Sequence, residues 1–220
     1  MVVARAGNPA IVCSMTLMVG ARTKQARRSK PQPAFDFEGL SIPAGQRARV
    51  PVVVPGTHAS TDLQMPVTVV HGRRTGPVVF VAAALHGDEL VGVEVIRRLL
   101  EHPALRRLRG TILAVPVVNV HGFIQQERYL PDRRDLNRSF PGSPTGSLAA
   151  RLAHVFMQTI VSRATQGIDL HTAAVHRSNL PQVRGCLDDA ATERLCLAFD
   201  APVVLNAQLR DGSLRQAAHD

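Results

Sequence analysis

Three residues of this 220-residue chain have the chemistry and setting of a metal-ligand set. His86 and Glu89 stand three apart across the turn His86-Gly87-Asp88-Glu89, so a ring nitrogen and a carboxylate oxygen can reach one point. His171 ends the short run Gly167-Ile168-Asp169-Leu170 much as His86 ends its own apolar run. Two histidines and a glutamate, with a fourth position left for water, form a catalytic zinc arrangement. Zinc held this way polarises a carbonyl and brings the pKa of a bound water toward neutrality. A lone histidine at a strand end is more often a surface or hydrogen-bonded side chain; the pairing with Glu89 sets His86 apart. His58, His71, His102, His121, His154, His176 and His219 lack such a context. Asp169 is placed either to orient a ligating imidazole from behind or to serve as a turn or cap residue.

The elements that must position these residues can be read from periodicity. Val78 to Leu85 is an apolar run with the length of a buried strand. From Val91 the spacing becomes helical, with Val91, Val95, Ile96, Leu99 and Leu100 on one side. A strand, a glycine turn and a helix place polar side chains at the carboxyl end of a sheet, where open α/β sheets bind ligands. His171 shares that rim if the two strands are parallel neighbours. Further strands are expected over Leu63 to Val70, Thr111 to Val118, Gly167 to Thr172 and Ala201 to Ala207. Helices are expected over Ser147 to Val161, with Leu148, Leu152, Val155, Phe156 and Ile160 inward, and over 189–199. Strands alternating with helices predict an α/β fold: a mostly parallel mixed sheet flanked by helices. Residues 1–34 read as a basic, disordered leader, 35–72 as a small β segment at an antiparallel edge or in an appendage, and 73–220 as the main α/β domain.

Between the strand at 111–118 and the helix at 147–161 lies Arg128 to Gly142, RYLPDRRDLNRSFPG. It is dense in charge and turn formers and has neither helical nor strand periodicity. A long polar loop inside a compact domain is functional or disordered. The mixture of acid, amide, guanidinium and turn residues favours function over a solvated basic loop.

Composition excludes several classes. The apolar fraction of 45% and charged fraction of 20% are those of a globular protein. With no Trp and one Tyr, a base-stacking platform is not expected, and neither nucleic acid nor membrane is expected as a partner. The formal charge of +9 comes almost wholly from arginine, with Lys only at 24 and 30. Arg22, Lys24, Arg27, Arg28 and Lys30 form one cluster, read as a solvated segment. Cys13, Cys186 and Cys196 have no CxxC spacing, so neither a disulfide framework nor a thiolate metal site is indicated. A reducing, cytoplasmic compartment fits. Residues 9–21 have the apolar run of an export signal but a weak basic start and are too short to span a bilayer. A disordered leader, or a start codon placed upstream of the true one, is the reading favoured. Self-association is compatible with the sequence.

Three ordered motifs carry a resemblance. HGDE at 86–89, RYLPDRRDLNRSFPG at 128–142 and DLHTAAVHRSNLPQVR at 169–184 resemble the succinylglutamate desuccinylase/aspartoacylase family, related to the zinc carboxypeptidases. The resemblance runs from about Phe35 to the end of the chain. It implies a zinc-carboxypeptidase-like α/β fold and a hydrolase with one Zn2+ per chain, held by His86, Glu89 and His171. It implies that Asn137 and Arg138 hold the substrate carboxylate and that Arg128 polarises the scissile carbonyl. Arg133 and Arg134 are nearer to Asn137 and compete for that role, and Arg134 is a further candidate for substrate binding. His176-Arg177 and Asn179-Leu180-Pro181-Gln182 are further residues for the wall of the site.

These residue types suit the chemistry without the family. A guanidinium binds a carboxylate through two parallel hydrogen bonds, which lysine cannot, and an asparagine amide adds a directional donor. An arginine aimed at a developing oxyanion stabilises it. The expected reaction is hydrolysis of the amide, a carbon–nitrogen bond other than a peptide bond, in an N-acyl amino acid or similar small carboxylate. Metal-bound water would be the nucleophile. The resemblance also implies a glutamate general base on a strand after His171, followed by a C-terminal β domain. Neither is found before Asp220: Glu193 is the one glutamate after His171, and it falls in an expected helix. The chain therefore reads as truncated. Two alternatives stay open, a catalytically impaired zinc-binding member of the family and a carboxypeptidase acting on peptides.

Overall fold

In the computed structural model, residues 13–19, 32–56, 63–173 and 177–220 are described, with backbone alone for 13–19. Ten strands are defined among them: β1 (Cys13–Val19), β2 (Phe35–Phe37), β3 (Leu40–Ile42), β4 (Arg47–Val54), β5 (Leu63–His71), β6 (Arg74–Ala83), β7 (Arg109–Val115), β8 (Gln166–Thr172), β9 (Gln182–Gly185) and β10 (Val203–Asn206). The helices are α1 (Val91–Glu101), α2 (Val120–Gln125), α3 (Leu148–Thr159), α4 (Ala190–Ala198) and α5 (Leu214–His219). Eight strands form one mixed sheet in the order β10-β9-β1-β8-β6-β7-β5-β4, and β2 with β3 makes a separate hairpin.

The sheet core is parallel. β6 runs parallel to β7 on one side and to β8 on the other, while β5 and β4 add antiparallel neighbours beyond β7. One strand comes from the segment read as a leader: β1 lies between β8 and β9, antiparallel to the first and parallel to the second. The basic cluster of that segment lies outside the described residues, while 32–34 join the domain through the Pro33 carbonyl on His71.

A strand covered on both faces reads as a continuous apolar run rather than an alternating one, and β6 shows why. Phe80 and Ala82 face one layer, with Leu113, Val115 and the buried side of α3: Leu148, Ala149, Leu152, Ala153 and Phe156. Phe80 and Phe156 meet edge to face at 5.7 Å between ring centroids, an arrangement that adds roughly 0.5–1.5 kcal/mol to simple burial. Val81 and Ala83 face the opposite layer, with Ile96 of α1, Leu170 and Cys196 of α4. The Ser147 hydroxyl accepts the Ala150 N–H and starts α3, a cap worth about 1 kcal/mol.

Helix α1 keeps Ile96, Leu99 and Leu100 of its predicted face against the sheet but turns Val95 outward. Val95 is 39% exposed, whereas Ile96 is fully buried. Gly92 sets this rotation: a Cβ there would lie 2.7 Å from the Ala83 Cβ and 2.9 Å from the Leu170 Cβ. The helix therefore approaches the sheet along Gly92 and Ile96, and Val95 is carried outward.

Candidate metal centre

His86, Glu89 and His171 converge at the carboxyl ends of β6 and β8, which are parallel neighbours with Ala83 opposite Leu170. Past β6 the chain turns through Ala84, whose φ of 48° is left-handed. The next strand-to-helix junction accepts this geometry, as Val118 and Asn119 donate backbone N–H groups to the carbonyls of Ala83 and Ala84. Gly87 permits the turn to lie against α2. A Cβ at that position would come within 2.0 Å of the Gly122 carbonyl carbon.

The three side chains already bind one another. Glu89 Oε1 lies 2.8 Å from His86 Nδ1, and Glu89 Oε2 lies 3.0 Å from His171 Nδ1. The backbone N–H of Thr172 donates to Glu89 Oε2 at 2.9 Å. One ligand atom from each residue can be chosen so that all lie within 4.8 Å of one another. His86 and Glu89 are 3% and 4% exposed, and the His171 side chain is 11% exposed.

The far nitrogen of each imidazole also faces a carboxylate. His171 Nε2 lies 2.5 Å from Asp169 Oδ2, and His86 Nε2 lies 3.1 Å from Asp135 Oδ1. Burial disfavours an imidazolium at both histidines, but the flanking carboxylates outweigh it. Asp135 and Glu89 raise the pKa of His86, and Asp169 with Glu89 raises that of His171 to about 10. Burial likewise opposes ionisation of Glu89, and the two imidazoles overcome it, holding the carboxyl at about 2. Asp135 is held well below the usual carboxylate range against the same penalty, by His86 and Arg128.

This charge arrangement suits a divalent cation. Glu89, Asp135 and Asp169 bring three carboxylates to the cluster, and the Arg128 guanidinium brings one positive charge. A dication with two neutral imidazoles and that guanidinium would balance the three. Two nitrogens and one carboxylate oxygen are ligand types of catalytic zinc sites, and a carboxylate behind each imidazole is the usual outer partner of a metal-bound histidine. The residues fit the ion.

Asp135 was not legible as part of the centre. Its partner His86 is 49 residues away, and its only sequence signal is its place beside Asn137 and Arg138. One carboxylate there ties three features together: His86, the Arg128 guanidinium at 3.0 Å, and the backbone N–H of Asn137 at 2.8 Å.

Among the arginines of the loop, Arg128 is the one brought to the cluster, its Nη1 lying 3.5 Å from Glu89 Oε1. Its guanidinium carbon is 6.0 Å from the Tyr129 ring centroid. Arg133, with a left-handed φ of 61°, and Arg134 are exposed. The described hydrogen bonds of Arg134 are from its backbone, its N–H donating to Asp132 and its carbonyl accepting the Leu130 N–H. Asn137 Oδ1 accepts the backbone N–H of Leu214, and the exposed Arg138 guanidinium folds onto the Asn137 carbonyl. His176 lies outside the described residues, while Arg177 is exposed, Leu180 is 62% exposed and Gln182 belongs to β9. Glu193 is exposed on α4. His71 and His121 are ordinary buried histidines, hydrogen-bonded to Thr111 and Pro33 and to Pro55 respectively.

Comparison with known proteins follows the same lines. Residues 75–219 match the model of the succinylglutamate desuccinylase/aspartoacylase catalytic domain. An N-alpha-acetyl-L-2,4-diaminobutyric acid deacetylase of Halomonas elongata is 30% identical over 192 residues, covering 83% of this chain and 55% of that protein. The chain thus spans about half the length of this curated relative. Two solved structures share the fold. The product-bound ectoine utilization protein EutE (DoeB) of Ruegeria pomeroyi has a TM-score of 0.61 at 22% identity, covering 89% of this chain and 60% of that one. An aspartoacylase family protein of Mesorhizobium loti has a TM-score of 0.60 at 23% identity, covering 83% and 59%.

Proposed function

The chain belongs to the succinylglutamate desuccinylase/aspartoacylase family, a family of deacylases, and from that premise we propose that it is the zinc-binding part of a deacylase for small N-acyl amino acids. The observation that carries this reading is the convergence of His86, Glu89 and His171, each imidazole backed by a second carboxylate. When bound there, zinc would polarise an acyl carbonyl and lower the pKa of a water.

The chain's own residues account for the rest. Asp169 and Asp135 orient the imidazoles. Arg128, within reach of the same point as Glu89 Oε1, offers positive charge where an oxyanion develops. Asn137 and Arg138 supply donors for the substrate carboxylate, with Arg134 and His176 as further candidates. The relative from Halomonas elongata is named for an N-acetylated diamino acid, which supports an acyl amino acid over a peptide as substrate. A carboxypeptidase would use the same residues.

A second reading, binding without turnover, is favoured by the position of Glu193. Exposed on α4, it is not placed as a general base, and among the described residues no other is assigned that role. The 220-residue polypeptide is therefore expected to bind zinc and substrate but to hydrolyse at background rate. Two measurements decide the matter. Zinc analysis of purified protein is expected to give one ion per chain, lost in His86→Ala; sub-stoichiometric zinc, unchanged by that substitution, counts against the centre. Assay of N-acyl amino acids beside short peptides tests the rest, and robust hydrolysis of either would show that a base is present after all. No helix among the described residues is long and apolar enough to cross a membrane, and Cys186 and Cys196 are free thiols, both compatible with the cytoplasmic setting proposed here.

A further inference from the structure

We propose that the turn Gly212-Ser213-Leu214 aims the amide of Asn137, an inference that rests on the reading of Asn137 as a donor to the substrate carboxylate. Asn137 Oδ1 accepts the backbone N–H of Leu214 at 3.0 Å, across 77 residues of sequence. An asparagine side chain has one acceptor oxygen and one NH2 with two donors. A backbone N–H can only donate, so this contact fixes which end of the amide is which. Rotating the amide by half a turn would set NH2 against N–H, donor against donor. Nδ2 is thereby committed to the other side, and a site offering donors there selects an anion.

The turn is locked to the loop at more than this contact. The Gly212 carbonyl accepts the Phe140 N–H at 3.0 Å, so the turn holds the loop on both sides of Arg138. Gly212 has a φ of 73°, and a Cβ there would lie 2.8 Å from the Arg138 carbonyl oxygen. The Ser213 hydroxyl donates to the Arg210 carbonyl at 2.6 Å, and the Leu214 side chain is 1% exposed. The loop and the turn are therefore one unit, and the direction of Asn137 is set from outside its own loop. Leu214 is a positioning residue through its backbone N–H.

The N–H can be removed without forcing the backbone. Ser213 has φ −83° and ψ 151°, an extended conformation that a following proline favours, and proline is tolerated at the first position of a helix. The test compares Leu214→Pro with Leu214→Ala in the full zinc-loaded chain. Both lose leucine packing, but only the first loses the donor. Calorimetric binding of N-acetyl-L-alanine is measured against N-acetyl-L-alaninamide, which lacks the carboxylate. The wild-type chain is expected to prefer the acid by about tenfold or more, as charge-assisted hydrogen bonds do. Leu214→Ala should keep that ratio, and Leu214→Pro should bring it to within about threefold of unity. Gly212→Ala, which displaces the turn but leaves Leu214 in place, should lower it as well, and decides the question if the proline variant does not fold. Retention of the acid preference in Leu214→Pro, or in Gly212→Ala when it stands alone, overturns the inference and leaves the clamp reading intact. Equal loss in Leu214→Ala and Leu214→Pro also overturns it. A wild-type chain that binds acid and amide alike removes the clamp reading and this inference together.

Discussion

Each imidazole at the candidate centre touches a carboxylate on both sides, and this decides how metal and protons compete there. His86 and His171 both have raised pKa values in the metal-free chain, so a metal ion must displace protons to bind neutral imidazole nitrogens. Zinc titration of the metal-free protein near neutral pH is expected to release on the order of one proton or more per ion. Calorimetry in two buffers of different ionisation enthalpy reads that number directly, and no buffer dependence would mean the imidazoles are not the ligands. Asp135→Asn should weaken zinc by about 10–100-fold, the usual effect of removing an outer carboxylate partner. Competition with a chelator measures it, and an unchanged affinity would show Asp135 to be irrelevant to the metal. His86, Glu89 and His171 were legible in the sequence because their types and strand-end positions are local facts. Asp135 was not, since only folding brings it to a histidine 49 residues away.

The unit that carries the centre is β6, its turn and α1, and its weak point is Gly87. A methyl group there would overlap the backbone of Gly122 and Phe123, which a side-chain rotation cannot relieve. Gly87→Ala is expected to lower stability by about 1–3 kcal/mol, the range for overpacking, and to reduce bound zinc as the turn shifts His86 from Glu89. Denaturant unfolding together with zinc analysis would test this; an unchanged midpoint with full zinc would mean that the turn and α2 separate easily. The same strand, turn and helix were the clearest part of the sequence, because a run buried on both faces leaves an unbroken apolar signal. Short or irregular elements left less. β9 has four residues, α2 and α5 six each, too few for a period to declare itself. On α1 the apolar spacing places Ile96, Leu99 and Leu100 correctly but not Val95, because Gly92, which has no side chain, sets the closest approach to the sheet.

At the scale of the whole molecule, the buried charges make stability depend on pH in a direction that metal reverses. Folding raises the pKa of His171 from 6.5 to about 10. Its contribution is therefore complete below about pH 6.5 and is lost as pH climbs toward 10. Folding lowers Glu89 from 4.5 to about 2, so its contribution is complete above about pH 4.5 and is lost as pH falls toward 2. These two groups together favour the metal-free fold most between those limits, and His86 acts in the same sense as His171. Zinc requires the imidazoles neutral, so its affinity rises as pH rises through the range where protons compete. A ligand that binds only the folded chain stabilises it in proportion to the logarithm of its affinity. The separation between the melting temperatures of zinc-loaded and metal-free protein should therefore be wider at about pH 8 than at about pH 6. One change produces it: the loss of imidazolium protons that weakens the ion pairs of the metal-free chain also tightens the metal. Thermal scans at equal ionic strength would measure it. A separation that narrows with rising pH would mean that His86 and His171 are not exchanging protons for metal.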